Sequence, residues 1–544
     1  MIARMKHLDL ICLASEGDAT LVALRDLGAV HLDLASASGE CVSEARGDVA
    51  SAETAVLLVR KARGKAKVEE LEIRARSVEE TLAISSDRET LAAEKERLER
   101  EIKSYESYGD FDPELARRLL DRGVDIADRL PPCLPEMRLS RMREKLERVE
   151  NRIRIDDAKL AATDDAAIVR KFPDLADRVA FAAARELLEN RGAVGVVSGW
   201  IPESCVAALH TSVAKMGWGV LIRDPAEGET PPTLIEPPRL FRPVKVLFAG
   251  LGIAPAYTES DVSVPFMCYF SLFFAMLVGD GGYGAIFLAI TLAMRRRLPY
   301  GWFPLLAVFS ASAIVWGILS NTWFGAALPW CADWPTVRWL GDVTYKNIMF
   351  LCFTIGVSHL MLARLWNAVC RFPDSTALAE LGWAGVLLFM YFVTNSLVGI
   401  FESLPDFMIW VFGASLLLVF LFSVKPKDLK TNGISLGMLP LNIMSALGDI
   451  ISYVRLFAVG LASVKVAENF NSMAVGLLSP ESSIWTNALL SVGTVLILVA
   501  GHTLNLAMAA LSILVHAVRL NTLEFSNHKG VSWAGHAFSP FKNH

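Results

Sequence analysis

The second half of the chain alternates between long apolar runs and short polar connections. About 20 residues cross a bilayer as a helix, so each run is close to or above the length of one span. The first run is longer than one span needs and contains a glycine-rich break at 279–284, which favours two short helices joined by a bend. The pattern predicts seven or eight spans from runs at 264–294, 302–323, 347–370, 379–400, 407–424, 435–464 and 484–518.

The charges between these runs decide between seven and eight spans. Cytoplasmic loops of membrane proteins are enriched in Lys and Arg. The basic and acidic loops fall on opposite sides if the first run is a hairpin of two helices. We therefore predict eight spans, both termini in the cytoplasm, and a tilt of the last two spans. The basic loop residues are Arg295, Arg296, Arg297, Arg371, Lys425, Lys427 and Lys430, and the acidic ones are Asp333, Asp342, Glu402, Asp406 and Glu481.

Two stretches of the first half carry apolar residues at alternating steps of three and four, which is the seam of a coiled coil. We predict an antiparallel helical hairpin in an arm over 49–160, running out along 49–105 with an interruption at 85–87 and back along 137–160. The arm is interpreted as a docking surface for partner helices or as a solvated spacer. Its seam residues are Val68, Leu71, Ala75, Val78, Leu82, Leu91, Leu98, Ile102, Leu139, Met142, Leu146, Val149 and Ile153.

Small α+β lobes are predicted on either side of the arm. Strands at 8–13 and 28–32 enclose a helix at 18–27, and a helix at 175–190 precedes a strand at 193–197. The fold class is therefore mostly α, with N-terminal cytoplasmic α+β lobes joined by a coiled-coil hairpin, then a polytopic helical membrane domain. The predicted domains are a cytoplasmic domain at 1–240, a linker at 241–263, a transmembrane domain at 264–525 and a cytoplasmic tail at 526–544.

Composition agrees with this division. The chain of 544 residues is 53% hydrophobic and 20% charged. The charged residues are concentrated in the part at 1–240 and are sparse in the part at 241–544. These values exclude a secreted disulfide scaffold, a collagen, a disordered chain and a purely soluble enzyme. A net charge of -5 gives no indication of nucleic-acid binding.

The sequence offers no catalytic or cofactor motif. The eight cysteines form no CxxC pair, and no spacing suggests a metal site. The phosphate-binding loop, HExxH and GxSxG patterns are missing from the sequence. A GxGxxG-like stretch at 279–284 lies inside an apolar run instead of after a soluble strand, so its context excludes dinucleotide binding. We predict a protein that is not an enzyme and binds no cofactor or metal.

Charges inside apolar spans are costly and therefore point to function. Arg455 lies deep in an apolar run, too far from either end to reach water. Asp449, six residues earlier, is about 120° away around an α-helix and a poor intrahelical partner. We predict that the Arg455 guanidinium pairs with a carboxylate from another helix or another chain. The alternative is a structural Arg–Asp pair within the bundle.

The last span carries a polar stripe that includes two histidines and an arginine. Such a stripe must face protein or water, and this one resembles the wall of a proton path. The alternative is a packing stripe of satisfied polar groups. Asp280 and His359 are weaker candidates, and Arg364 and Glu402 are expected to reach the membrane interface. The stripe consists of His502, Asn505, Ser512, His516 and Arg519, with Glu524 near the cytoplasmic end.

These residues resemble the stator subunit, subunit a or subunit I, of V-type and A-type rotary ATPases in its prokaryotic form. The resemblance is most specific in the last two spans and covers the soluble half mainly in layout. The matching segments are Ser452-Tyr453-x-Arg455-Leu456-Phe457-Ala458, Gly501-His502-x-x-Asn505, His516-x-x-Arg519-Leu520-x-x-x-Glu524-Phe525, Gly279-Asp280-x-Gly282-Tyr283-Gly284, Gly199-Trp200-Ile201-Pro202 and Phe538-x-Pro540-Phe541.

The resemblance implies a mechanism and a set of partners. The subunit would face a rotating proteolipid ring with buried carboxylates, which ions reach through two offset half-channels. Arg455 would release the ion and block leakage, and Arg519 would support it. Peripheral stalk subunits, a ring-cap subunit of the central stalk and, indirectly, the catalytic ATPase head would be the other partners. The remaining implied ion-path residues are His516, Asp449, Glu524, His502, Asn505 and Ser452.

The chain departs from the family pattern at two places. Eukaryotic members have an acidic residue ten positions before the second arginine, where this chain has Ala509. Residues 526–528 replace an aromatic that relatives often carry after Phe525.

The competing functions are a secondary transporter with a coiled-coil regulatory domain, and an assembly factor whose intramembrane charges only pair. The sequence does not distinguish H⁺ from Na⁺, because the resemblance places the carboxylate that selects the ion on the ring.

Overall fold

A computed structural model describes residues 2–65, 73–122, 130–299, 301–341, 344–423, 437–477 and 484–543. The chain is mostly helical, with a few strands. It divides into two compact units, one formed by Met5–Pro225 with Ser539–His544, and the other by Met1–Arg4 with Ala226–Phe538. The first is called the sheet-containing unit below, and the second, which holds the apolar helices, is called the membrane unit.

The sheet-containing unit has an antiparallel four-stranded sheet, in the order β2-β3-β1-β4. Alternate residues of β1, among them Leu8 and Leu10, enter a core with Leu21 and Leu24. The two stretches predicted as separate lobes therefore share a sheet. Its strands are β1 (Met5–Leu13), β2 (Glu189–Arg191), β3 (Val194–Pro202) and β4 (Gly219–Arg223).

The strand predicted at 28–32 does not form. Gly28 ends the preceding helix with φ of 60°, a left-handed conformation that turns the chain. Only His31 then exchanges backbone hydrogen bonds with Trp200, as an isolated bridge. The helices of the unit are α1 (Gly17–Leu27), α2 (Glu40–Lys65), α3 (Val78–Tyr105), α4 (Pro113–Asp121), α5 (Leu139–Ala161), α6 (Asp165–Val169), α7 (Phe172–Glu186) and α8 (Val206–Met216).

Helices α3 and α5 pack against each other, and Leu98, Met142 and Val149 are buried. The interruption predicted at 85–87 is wrong, because α3 runs through it with Ser85 buried. A capping box at Ser77 starts α3, so the predicted seam residue Ala75 precedes the helix. Val68 and Leu71 lie outside the described residues.

Ion pairs join α3 to α5 across the packed face. Lys145 donates to Glu94 at 2.6 Å, and the hydrogen bond holds the pKa of that carboxyl below its usual value. Lys95 lies 2.7 Å from Glu150, whose hydrogen bond raises the pKa of the ammonium. A carboxyl with a lowered folded pKa stabilises the fold above its unfolded pKa, and this stabilisation is lost as pH falls through the folded pKa.

We expect Lys145→Met to lower the protection of α3 amides against hydrogen exchange at pH 7. The expected loss is below about 1 kcal/mol, because both side chains are partly exposed and screened by solvent. The difference from the native chain should disappear once Glu94 is protonated in both states. Arg148→Met is the control, since its partner Glu144 lies on the same helix. An effect of Lys145→Met that persists in acid would contradict the ion-pair explanation.

The membrane unit contains five helices that are long and apolar enough to cross a bilayer within the described residues, or six when one bent pair is taken as a span. The bent pair, α10 (Ser263–Val278) and α11 (Gly281–Ala293), turns by 118° at the predicted glycine break. The described residues also contain a shorter apolar helix, α16 (Phe407–Phe422), which has 16 residues. The count of eight therefore stays a prediction. The loop residues Asp342, Lys425, Lys427, Lys430 and Glu481, on which it partly depends, lie outside the described residues.

Glycines allow the bent pair to pack closely. Gly279 has φ of 68° at the end of α10. A Cβ atom on Gly317 would lie 2.2 Å from the Cα atom of Gly281, so α11 and α12 can cross there only because both residues lack side chains. The helices in this part are α9 (Val244–Leu251), α10 (Ser263–Val278), α11 (Gly281–Ala293), α12 (Trp302–Ser320), α13 (Pro335–Leu340), α14 (Lys346–Arg371), α15 (Thr376–Leu397) and α16 (Phe407–Phe422).

The last two apolar runs deviate from straight α-helices. A turn at Ser452 and Tyr453 separates α17 (Leu439–Ile451) from α18 (Val454–Gly476). Helix α19 (Ile484–Ser512) continues into two π-helical turns at Ile513–Ala517 and Leu520–Phe525. The short helix α20 (Ser526–Lys529) follows. Because π-turns often occur at functional sites, the side chains of these irregular segments are candidates for a functional role.

Candidate functional site

Two arginines and one glutamate meet between α18 and the end of the last run. Arg455 donates from Nη2 to Oε1 of Glu524 at 3.2 Å. The Nε atom of Arg519 lies 3.4 Å from the same oxygen. The side chain of Glu524 is only 5% exposed, whereas those of Arg455 and Arg519 are 23% and 54% exposed. Two cations thus share one carboxylate, which leaves a net positive charge.

The π-turn over Leu520–Phe525 explains why Arg519 and Glu524 meet. In an α-helix, residues five apart are about 140° away from each other around the axis. A π-turn has i→i+5 hydrogen bonds, which bring residues five apart to the same side. The other π-turn, at Ile513–Ala517, contains His516. Regular α-helical spacing therefore does not apply to the part of the polar stripe beyond Ser512.

Several polar atoms in and next to the Arg455–Glu524 ion pair have no hydrogen-bond partner among the described residues. They are Nη1 of Arg455, Oε2 of Glu524 and Nδ1 of His516, and each is buried. Leaving a buried polar atom without a partner costs about 1–3 kcal/mol, so natural proteins rarely keep one without a reason. The free donor of Arg455 and the free acceptor of Glu524 can each take one further polar group.

Asp449 lies in a different cluster from Arg455. Its Oδ2 atom is 3.0 Å from Nε2 of His528, and Nδ1 of His528 accepts from Nε of Arg364 at 3.1 Å. Arg364 also donates to Glu380 at 3.1 Å. The side chain of Arg364 is 19% exposed and is held by this network, and its reach to the membrane interface stays a prediction.

Sequence reasoning missed Glu380 and His528. Glu380 is 5% exposed within the long apolar helix α15, and the rule that intramembrane charges are functional candidates could have found it. His528 lies beyond the last apolar run, in a segment predicted to be a cytoplasmic tail. Nothing in the sequence alone indicated its burial.

His359 is fully buried in an aromatic cage. Its ring stacks between Tyr269 and Phe525, with centroids 4.0 and 4.4 Å away. Its Nδ1 atom lies 2.9 Å from the hydroxyl of Tyr453, next to the turn that precedes Arg455. Ser452, on the same turn, donates back to the carbonyl of Asp449 at 2.7 Å.

The N-terminal part of the polar stripe, His502 and Asn505, takes part in helix packing. His502 lies 2.7 Å from the hydroxyl of Tyr283, and Asn505 donates to the same hydroxyl at 3.1 Å and to the carbonyl of Ser463 at 2.9 Å. Asp280 caps α11, accepting from the backbone N–H groups of Gly282, Tyr283 and Gly325. These contacts favour a packing role for the three predicted residues.

One side of the last run exposes a row of apolar side chains instead. Ala509, at the position of the eukaryotic acid, is buried and so faces the other way. The described residues contain no group of three His, Cys, Asp or Glu side chains that could hold a metal ion. The exposed apolar residues are Val492, Val495, Leu496, Val499, Leu504, Met508, Leu511, Leu514 and Val515.

Comparisons with known proteins identify similar chains, although no family model matches. The chain is 30% identical to V-type ATP synthase subunit I 1 of Treponema pallidum, over 100% of both proteins. It is 32% identical to V-type ATP synthase subunit I of Borreliella burgdorferi over 64% of this chain and 60% of that protein. A-type ATP synthase subunit I of Pyrococcus horikoshii is 25% identical, over 63% of this chain and 53% of its own length.

Proposed function

The chain belongs to the subunit I family of V-type and A-type ATP synthases, a non-catalytic membrane subunit, and from this premise we propose that it is the ion-translocating stator subunit of such a complex. It would carry H⁺ or Na⁺ between a proteolipid ring and two half-channels. ATP hydrolysis or synthesis would take place on other subunits. The observation that carries the proposal is the partly exposed guanidinium of Arg455 on the apolar helix α18, which pairs through Nη2 with Glu524 while Nη1 has no partner among the described residues.

The partly exposed guanidinium of Arg455 supports a direct role at the ring. A ring carboxylate that arrives with its ion meets a fixed cation, which favours the ionised form of the carboxylate. The ion then leaves into one half-channel, and the ring carboxylate pairs with the partly exposed guanidinium of Arg455. A fixed cation between the half-channels also repels ions that would cross without rotation. Arg keeps its charge at low dielectric, where Lys can lose its proton.

The remaining site residues are assigned by their position relative to Arg455. Arg519 and Glu524 set the charge around it, and His516 lies on the preceding π-turn. Asp449 and Ser452 would line the cytoplasmic half-channel. His502 and Asn505, on α19, stay candidates for the other half-channel. Asp280 and His359 stay weaker candidates.

The apolar row on the last run is a surface suited to lipid or to an apolar ring. Isolated apolar side chains on a surface need no explanation, but a continuous patch marks an interaction surface. In this proposal the row lies against the proteolipid ring. The membrane domain at 264–525 would have eight spans, with both termini in the cytoplasm of a bacterium. The domain at 1–240, with its paired helices, would bind peripheral stalk subunits and a ring-cap subunit and resist torque.

Purification tests this assignment most directly. The tagged chain should co-elute with a small proteolipid and with ATPase subunits. When ATP is added, the complex should acidify vesicles or load them with Na⁺. The dependence of its ATPase activity on Na⁺ would distinguish H⁺ from Na⁺. A chain that elutes alone, and transports a solute without ATPase subunits, would be a secondary transporter instead.

His516→Ala tests whether the π-turn lines the ion path. We expect a partial loss of ATP-driven pumping, on the order of tenfold, because a positioned acid–base group contributes about 10²–10⁴-fold where it transfers protons and less where it only lines a path. The measurement is initial pumping rate against pH. Asn505→Ala is a comparison variant on the same run. An unchanged rate and pH profile for His516→Ala would show that His516 only packs.

A further inference from the structure

A histidine beyond the last π-turn links a carboxylate of α17 to an arginine of α14. His528 has a side chain that is 5% exposed. Its Nε2 atom lies 3.0 Å from Oδ2 of Asp449, and its Nδ1 atom lies 3.1 Å from Nε of Arg364. Both ring nitrogens of one buried imidazole are therefore engaged, each with a charged side chain on a different helix.

The arginine determines which ring nitrogen carries the proton. A guanidinium keeps all its protons in proteins, so Nε of Arg364 can only donate. Nδ1 of His528 must then accept with its lone pair. In a neutral imidazole the single N–H is consequently on Nε2, where it points at Asp449. His528 is a fixed hydrogen-bond donor to that carboxylate.

The arginine is itself fixed in place. Nη1 of Arg364 donates to Oε2 of Glu380 at 3.1 Å, and the second oxygen of Glu380 pairs with Arg371 at 2.8 Å. The guanidinium of Arg364 also lies over the ring of Trp383, 5.3 Å from its centroid. Arg364 therefore cannot swing away without breaking an ion pair.

The backbone of His528 is held as well. Nδ2 of Asn367 donates to the carbonyl oxygen of His528 at 3.1 Å. Lys529 donates to the amide oxygen of Asn367 at 2.7 Å. The imidazole is thus held by contacts to its side chain and to its main chain.

We propose that His528 is a positioning residue that holds the carboxylate of Asp449 in the ion path and does not itself carry the ion. The inference rests on the proposed function, in which Asp449 belongs to that path. To carry a proton through, His528 would have to bind one at Nδ1, where Arg364 already donates. A single hydrogen bond from His528 restricts the orientation of the Asp449 carboxylate, and it comes from α20, beyond the last π-turn.

The test is a set of variants in the whole complex, measured by ATP-driven pumping in vesicles. His528→Leu removes the donor, and we expect about a tenfold loss, which is within the usual range of couplings between contacting residues. His528→Gln should pump at close to the native rate, because its amide can donate to Asp449 and accept from Arg364. The side chain of His528→Asn is one methylene shorter than that of His528→Gln, so this variant should pump like His528→Leu. It keeps the test valid if the leucine variant does not assemble.

A double variant separates positioning of Asp449 from general packing. If His528 acts through Asp449, adding His528→Leu to Asp449→Ala should cause no further loss. Multiplied losses would overturn the proposal, as would a His528→Gln complex as impaired as His528→Leu, or a His528→Leu complex with the native rate. Arg455→Ala in the same assay tests the proposed function separately. If Arg455→Ala pumps, that function fails; if it does not pump and His528→Leu does, only the positioning role fails.

Discussion

Arg455→Ala should abolish ATP-driven ion pumping while the complex still assembles. Arg455 is a cation with a free nitrogen inside the membrane unit, next to a glutamate that already has a second partner in Arg519. Removing one preorganised charged donor from a reaction site typically costs about 10²–10³-fold in rate. Pumping is measured as dye quenching in vesicles that contain the purified complex, and assembly as migration on a native gel.

Two further variants show whether the loss is specific. Arg455→Lys should also fail, since an ammonium lacks the planar pair of nitrogens that can bind Glu524 and a ring carboxylate together. Arg295→Ala is the matched control. Arg295 lies outside the long apolar helices, and its guanidinium lies over the ring of Phe303. Assembled Arg455→Ala complex that pumps at a substantial rate would disprove the role given to Arg455.

The sequence predicted parts of the site that depend on local chemistry. A guanidinium in an apolar run requires a carboxylate from elsewhere, and the structure supplies Glu524. Glycines in an apolar run indicated the bend that separates α10 from α11. In the first case an unpaired charge in an apolar run is costly, and in the second a residue without Cβ can adopt conformations that others cannot. Both effects depend on a few neighbouring residues, so the sequence alone predicts them.

The parts that failed depend on irregular helices or distant pairing. Regular α-helical steps separate Arg519 from Glu524, and no residue type announces the π-turn that joins them. Likewise, β1 pairs with β3, which follows only after the whole helical arm, so two stretches that looked like separate lobes share one sheet. Periodicity reports which side of an element is apolar, and it contains no information on which distant element covers that side.

Glu524→Gln should cause the second large loss of pumping. Glu524 is the buried anion that Arg455 and Arg519 share, and its removal leaves two cations close together with no carboxylate between them. Breaking a buried ion pair by removing one partner costs about 3–5 kcal/mol. We expect pumping to fall by at least about tenfold, with assembly retained in part. Glu468→Gln is the control, since Glu468 is a partly exposed glutamate on α18 that pairs with Lys465.

Charge balance predicts a rescue of this variant. Removing Arg519 as well, in the double variant Glu524→Gln with Arg519→Gln, returns the site to one net positive charge carried by Arg455. Pumping by the double variant should therefore exceed that of Glu524→Gln alone, measured in the same vesicles at equal amounts of assembled complex. If the two losses multiply instead, Arg519 has a role in the ion path that does not depend on Glu524, and the shared carboxylate does not set the charge on Arg455.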